Sequence, residues 1–208
     1  KYVEPTHPIL FLPWNANQFI MLSQKDGYNH IYLFNKDGKQ IKQITKGNWV
    51  VMDVLGFNSK AKSIVYVSNE CSPIQRNTWS VNVENGIRTL LDNGRGYHNA
   101  TLSDGGKYLV DNYTEPTVPR KIDITTIGTH PTIKNWLTAK DPWSGFNLPE
   151  YSSGSLKADD GTTDLYWRMV KPIGFDPSKK YPTVIYVYGG PHAHNVDASW
   201  HYGSRSWE

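Results

Sequence analysis

The sequence predicts a mainly β protein: blades of a β-propeller followed by the first strands of an α/β domain. Three observations carry this. Apolar strand pairs recur at a near-constant spacing, the turns inside them hold Asp-Gly and Asn-Gly, and one unbroken apolar run near the C-terminal end stops at Gly-Gly-Pro. The composition agrees, because Trp 8, Tyr 13 and Phe 6 alongside 17 Gly and 13 Pro in 208 residues favour strands and turns over helices.

The repeat runs through residues 7 to 137. Phe19-Ile20-Met21-Leu22-Ser23, Ile64-Val65-Tyr66-Val67-Ser68 and Tyr108-Leu109-Val110-Asp111-Asn112 begin 45 and then 44 residues apart. Each leads through a polar turn to a second strand, at Ile31 to Phe34, Trp79 to Val83 and Lys121 to Ile124. A third short apolar piece follows in each case, at Gln43 to Thr45, Arg88 to Leu91 and Ile133 to Leu137. A period near 40 to 50 residues with about four strands per unit is how propeller blades read. Lys36-Asp37-Gly38, Glu84-Asn85-Gly86 and Ser103-Asp104-Gly105-Gly106 supply the tight hairpin turns. Three units do not close a ring of the usual four to eight blades, so a propeller implies further blades before Lys1. An open β-sandwich is the alternative.

From Leu137 to Glu150 the pattern gives way to Asp141-Pro142-Trp143-Ser144-Gly145-Phe146 and Leu148-Pro149, which reads as a domain boundary. Beyond it, Tyr151 to Lys157 and Thr163 to Lys171 alternate about Asp159-Asp160-Gly161-Thr162 as a hairpin, and Asp176 to Lys180 is an exposed turn. Thr183-Val184-Ile185-Tyr186-Val187-Tyr188 is β-branched or aromatic throughout, the pattern of a strand buried on both faces. Gly189-Gly190-Pro191 ends it.

Charge and cysteine content exclude several classes. Lys+Arg 22 against Asp+Glu 19 is too even for nucleic acid or an anionic membrane. Cys71 is the sole cysteine, so no internal disulfide supports the fold. No apolar run approaches the roughly 18 to 20 residues that span a bilayer, and no signal peptide pattern opens the chain. A start at Lys1 and an end at Glu208 read as an internal segment of a longer protein.

The chemistry readable from single residues is limited. An α/β hydrolase places a donor at a sharp turn after an early strand, where it meets the oxyanion formed on nucleophilic attack. Tyr188 before Gly189-Gly190 fits that position, and a core aromatic before an ordinary turn fits it too. No Gly-x-Ser-x-Gly occurs, and Ser153, Ser155, Ser204 and Ser206 lack its frame, so no nucleophile is nominated. His192, His194 and His201 are spaced too loosely for a metal site and have no carboxylate or cysteine in register. Glu4, Asp53 and Glu115 read as strand-end or surface acids, and Arg76 and Arg95 as surface ion pairs.

The segment Tyr186-Val187-Tyr188-Gly189-Gly190-Pro191-His192 resembles the dipeptidyl peptidase IV family of serine exopeptidases in its bacterial form. Asp26 to Tyr32, Thr45 to Val51, Ser68-Asn69-Glu70 and Leu102 to Tyr108 look like blade motifs of that family, and Asp176 to Pro182 is similar to its entry into the catalytic domain. Pro73-Ile74-Gln75-Arg76 departs from it, since relatives usually carry an acid before the Arg.

The resemblance implies that residues 1 to 138 are the last propeller blades, about three of them. It makes 139 to 150 a linker and 151 to 208 the start of an α/β hydrolase domain. It implies release of N-terminal dipeptides with Pro or Ala second, without a cofactor or metal. Tyr188 becomes the oxyanion-hole residue. The Ser, Asp and His of the triad would lie beyond Glu208 and the paired glutamates that hold the substrate ammonium in an earlier blade, so the segment alone would be inactive. The implied partners are a peptide substrate and, in the parent, a second copy; the implied location is the periplasm, the cell surface or outside the cell. A prolyl oligopeptidase or acylaminoacyl-type peptidase, or a non-catalytic peptide-binding propeller, are the alternatives.

Overall fold

The computed structural model describes residues 8–128, 130–190 and 193–203. Three four-stranded antiparallel sheets follow one another along the chain, each a meander in which sequence order is spatial order. The first joins β1 (Leu10–Leu12), β2 (Asn15–Ser23), β3 (His30–Asn35) and β4 (Gln40–Gln43); the second joins β5 (Val51–Asn58), β6 (Ser63–Ser68), β7 (Asn77–Asn82) and β8 (Arg88–Leu90). The third joins β9 (Tyr97–Leu102), β10 (Tyr108–Glu115), β11 (Val118–Thr126) and β12 (Thr132–Thr138). These are propeller blades, and each recurrent strand of the sequence pattern lies in the second, third or fourth position of its blade. A two-stranded hairpin of β13 (Glu150–Lys157) and β14 (Asp164–Lys171) and a short 3-10 turn at Trp200–Gly203 complete the elements.

The leading strands β1, β5 and β9 were not legible in the sequence. β5 carries two register shifts, between Val51 and Asp53 and between Val54 and Gly56, so its apolar residues lose strict alternation. β9, Tyr-His-Asn-Ala-Thr-Leu, is largely polar.

Packing explains why the middle blade has the most apolar strand. All six residues of β6 are buried. Because successive side chains point to opposite faces, Ile64 and Tyr66 join a core with Leu12, Ile20, Ile31 and Leu33 of the first blade, while Val65 joins Leu91, Leu109 and Ile127 on the side of the third. The outermost strand of the third blade, β12, is exposed along its whole length. Backbone contacts also tie the blades together. The Val51 N–H donates to the Asn29 carbonyl at 2.8 Å, and the Asn29 side-chain amide donates to the Val51 carbonyl at 2.8 Å. Gly106, at φ +64°, lets the β9–β10 turn press onto β5: a Cβ there would lie 2.1 Å from the Phe57 carbonyl oxygen.

The apolar run departs from expectation. Residues 182–189 carry no strand, and Val184, Ile185 and Val187 are 81%, 83% and 77% exposed. The sequence pattern read this run as a strand buried on both faces. A doubly buried strand needs paired neighbours to satisfy its backbone and sheet-covering layers over its side chains. Among the described residues no strand lies beside it. Also among the described residues, no helix is long and apolar enough to cross a membrane.

Candidate functional site

Tyr188 stands at the end of this extended run, about half exposed. Its ring folds back over Gly190: a Cβ added to Gly190 would meet the Tyr188 Oη at 2.6 Å and Cζ at 2.7 Å. The second glycine of the motif therefore leaves room for the phenol. Among the described residues the Tyr188 hydroxyl has no hydrogen-bond partner. His192 of the same motif lies outside the described residues, as do Glu4, Ser204 and Ser206.

The other histidines weighed for a metal site do not converge. His194 Nε2 pairs with Asp197 Oδ1 at 2.6 Å, which holds its pKa above the ordinary histidine value against partial burial. The His201 ring packs edge-on against Tyr151 at 4.2 Å and Trp200 at 4.0 Å, and burial pushes its pKa down.

Downstream of Tyr188 the chain returns to the propeller. The Ala198 N–H donates to the Ile74 carbonyl at 2.7 Å, the Trp200 N–H to Thr114 Oγ1 at 3.2 Å and the His201 N–H to the Pro116 carbonyl at 3.1 Å. Ile74 belongs to the loop before β7, whereas Thr114 and Pro116 flank the β10–β11 turn. The Arg168 Nε, from β14, donates to the Asn195 carbonyl at 3.1 Å. The propeller surface is thus in contact with the chain that leaves Tyr188.

The acceptor loop is held in turn by a seam between the second and third blades. Arg76, which the sequence pattern assigned to a surface ion pair, is partly buried there. Its N–H donates to the Gly96 carbonyl at 3.2 Å and its Nε to the His98 carbonyl at 3.0 Å, and it accepts from the His98 N–H at 3.0 Å. Gly96 sits under β10 so closely that a Cβ would lie 2.3 Å from the Thr114 carbonyl oxygen.

Beneath this seam lies a buried cluster that the sequence reading missed: Asp92, His98 and Asp111, with their ligand-type atoms within 4.8 Å of one another. A carboxylate–imidazole–carboxylate set is chemically suited to a metal; both imidazole nitrogens, both Asp92 oxygens and Asp111 Oδ2 are engaged with the protein, and the buried Asp111 Oδ1 has no hydrogen-bond partner. His98 Nδ1 is 2.6 Å from Asp111 Oδ2, and Nε2 is 2.6 Å from the Arg95 carbonyl. Asp92 accepts from Asn77 Nδ2 at 3.2 Å, the Gly94 N–H at 2.8 Å and the Thr78 N–H at 2.6 Å. A carbonyl only accepts, so Nε2 carries a proton, and a proton on Nδ1 satisfies Asp111 as well. Burial alone would depress the imidazole, but the Asp111 hydrogen bond and the two carboxylates outweigh it and raise the His98 pKa above its ordinary value. Burial also raises the Asp92 pKa, against the pull of the His98 charge and the Thr78 and Gly94 amides. In the sequence the three residues stand 6 and 13 positions apart; the pairing of β9 with β10 brings His98 to Asp111, and the blade seam adds Asp92.

Comparisons with known proteins agree with this architecture. The family model described as the dipeptidyl peptidase IV N-terminal region matches residues 1–120. Among curated proteins, dipeptidyl peptidase 4 of Trichophyton equinum is 31% identical over 188 residues, covering 88% of this chain and 24% of its own length. The dipeptidyl peptidase 4 of Trichophyton rubrum shares the same identity and coverage. Among solved structures, a Bacteroides ovatus protein described as a dipeptidyl aminopeptidase IV superposes with a TM-score of 0.89 at 41% identity, over 100% of this chain and 32% of that one. Porphyromonas gingivalis dipeptidyl peptidase 4 superposes at 0.77 and 28% identity, over 96% of this chain and 28% of that one. The chain spans about a quarter of the length of the curated relatives it matches. On the match over residues 1–120, which spans the first two four-stranded blades and runs into the third, the chain belongs to the dipeptidyl peptidase IV family, in the part described as its N-terminal region.

Proposed function

We propose that this chain is a segment of a serine exopeptidase that releases dipeptides from free N-termini of peptides, with Pro or Ala in second place. The observation that carries the reading is the blade match over residues 1–120 followed, in the same order as in the resemblance, by Tyr188-Gly189-Gly190. In this reading residues 1–138 belong to the propeller, 139–150 link, and 151–208 open the hydrolase domain. Tyr188 donates its hydroxyl to the oxyanion of the tetrahedral intermediate, a contact present in the transition state and absent from the ground-state carbonyl. The half-exposed phenol over Gly190 supports that role, since a donor for a transient oxyanion has to face open space rather than a protein acceptor.

The chain contains no Gly-x-Ser-x-Gly, so the nucleophile and its Asp and His come from parts of the parent beyond this segment. The full-length protein is expected to release the chromophore from a Gly-Pro anilide, and the 208-residue segment to leave it intact. In the parent, Tyr188→Phe lowers kcat by about 10²–10³ with little change in KM, the cost of one oxyanion donor. Turnover by the isolated segment, or full turnover by the Tyr188→Phe parent, overturns the assignment.

A further inference from the structure

The seam between the second and third blades buries more acceptors than it satisfies. Asn77, in β7, and Asp92, just after β8, come from the second blade, whereas His98 and Asp111 come from the third, and all four side chains are shut off from solvent. Two of their oxygens, Asp111 Oδ1 and Asn77 Oδ1, are buried with no hydrogen-bond partner, and neither can act as a donor. The Asn77 amide reaches the carboxylate–imidazole cluster, its Nδ2 standing 3.2 Å from Asp92 Oδ1. Charge is unbalanced as well. Two carboxylates against a single imidazolium leave one negative charge unmatched in the cluster, which is costly away from water. Arg76 does not answer it with a side-chain contact, since its Nε is taken by the His98 carbonyl. Asp123, buried and opposite Asp111 in the ladder, adds a further acid.

We propose that this seam is a metal site in which Asp92, His98, Asp111 and Asn77 hold a first-row divalent cation of the Zn²⁺ type, clasping the second blade to the third. One imidazole with carboxylate and amide oxygens is a donor set that zinc accepts. The imidazole is already oriented for it. Its Nε2–H is given to the Arg95 carbonyl at 2.6 Å, the outer bond that a metal-ligating histidine commonly makes, and Nδ1 faces both carboxylates. Around a tetrahedral zinc at about 2.0–2.1 Å, ligand atoms stand about 3.3 Å from one another. The Nδ1 distances to Asp111 Oδ2 and Asp92 Oδ2, 2.6 and 3.8 Å, bracket that value, and Asn77 Oδ1 is the fourth ligand. The Thr78 and Gly94 amides hold Asp92 from outside. Without the ion, a proton on Nδ1 bridges to Asp111. On binding, that proton leaves to solvent, the neutral imidazole gives its lone pair to the metal, and the two carboxylates balance the dication. Because the ligands are divided between two blades, binding stabilises their docking rather than either sheet alone. The site owes nothing to the reading of Tyr188.

A site closed to solvent is loaded as the blades come together, so the test uses full-length protein expressed in zinc-supplemented medium rather than a soak. Elemental analysis of the purified protein is expected to find one more zinc per chain in the wild type than in His98→Gln, which removes the ligand nitrogen. Diffraction data collected at the zinc edge are expected to place an anomalous peak within about 2.3 Å of His98 Nδ1. The Tm of the wild type is expected to be higher after zinc-supplemented than after zinc-depleted expression, and that gain to vanish in His98→Gln. Equal zinc content in the two proteins overturns the site, as does an edge map with no peak at the seam; zinc found only at exposed histidines is adventitious and overturns it too. Should His98→Gln fail to fold, the edge map of the wild type decides without any variant.

Discussion

Nδ1 of His98, in β9, lies 2.6 Å from Oδ2 of Asp111, in β10, and both side chains are shut off from solvent. A second carboxylate, Asp92 from the end of the neighbouring blade, stands 3.8 Å from the same nitrogen. The pair is therefore an element of the seam as well as of one sheet. Arg76 and Arg95 reach it through backbone and guanidinium contacts, Tyr113 stacks on the ring at 4.6 Å, and Asp123 lies behind Tyr113.

This geometry gives stability a pH dependence with a definite sign. The folded protein holds the His98 proton more tightly than the unfolded chain does, so the contribution is complete below the ordinary histidine pKa of about 6.5 and is lost as pH rises through the raised folded value. The raised Asp92 value acts in the same direction at lower pH. Thermal unfolding followed by circular dichroism is expected to show Tm falling from pH 6 to pH 9, with a shallower fall in His98→Gln. Parallel slopes in the two proteins would remove His98 as the source.

Asp111→Ala takes away one carboxylate and leaves a buried imidazolium short of a partner. The expected loss is about 3–5 kcal/mol, the cost of breaking a buried pair on one side. Denaturant titration measures it, and a loss below about 1 kcal/mol, the level of an exposed pair, would mean that the seam rearranges around the vacancy.

Gly105 and Gly106 are adjacent and should respond differently. Alanine at 106 has to adopt φ +64° and meets the Phe57 carbonyl oxygen at 2.1 Å and the Asn58 Cα at 2.8 Å, all backbone that cannot swing aside. The left-handed conformation alone costs about 1–2 kcal/mol, and the clash adds to it. At Gly105 nothing lies within 4 Å of a Cβ, so Gly105→Ala is the matched control with little effect. Equal Tm values for the two variants would contradict the close approach of the blades.

Gly190→Ala tests the site rather than the fold. The three nearest atoms to its Cβ would all belong to the Tyr188 phenol, the closest at 2.6 Å, so the ring is what has to move. In the full-length enzyme kcat is expected to drop towards that of Tyr188→Phe, by about 10²-fold, at unchanged Tm. Wild-type turnover in this variant would show that the phenol works equally well elsewhere.

Arg88 lies over Trp49 and Trp79, 5.6 and 5.8 Å from the ring centroids, and pairs with Glu70, whose Oε1 also accepts from the Tyr66 and Ser68 hydroxyls. Arg88→Lys keeps the charge and loses the planar stacking. It is expected to cost ~1 kcal/mol, in the range of a partly exposed cation–π contact, read from the shift in denaturant midpoint.

What the sequence determined by itself is local and periodic. Spacing at Phe19, Ile64 and Tyr108 marks the blades because every blade must offer a strand with apolar residues to its neighbours, and the 13-residue offset from His98 to Asp111 is invisible to any such period. The β13–β14 hairpin was legible for the same local reason, a turn at Asp160-Gly161 between alternating strands. Whatever depends on neighbours distant in the chain was decided by the tertiary structure. It left Val184, Ile185 and Val187 exposed and outside any described strand although the residues favour one, since propensity alone builds no sheet. It drew Arg76 off the surface into the seam. It brought Thr114 to the Trp200 amide across 86 residues of chain, a contact that exists only because a bulge in one blade meets the returning segment of another part of the fold.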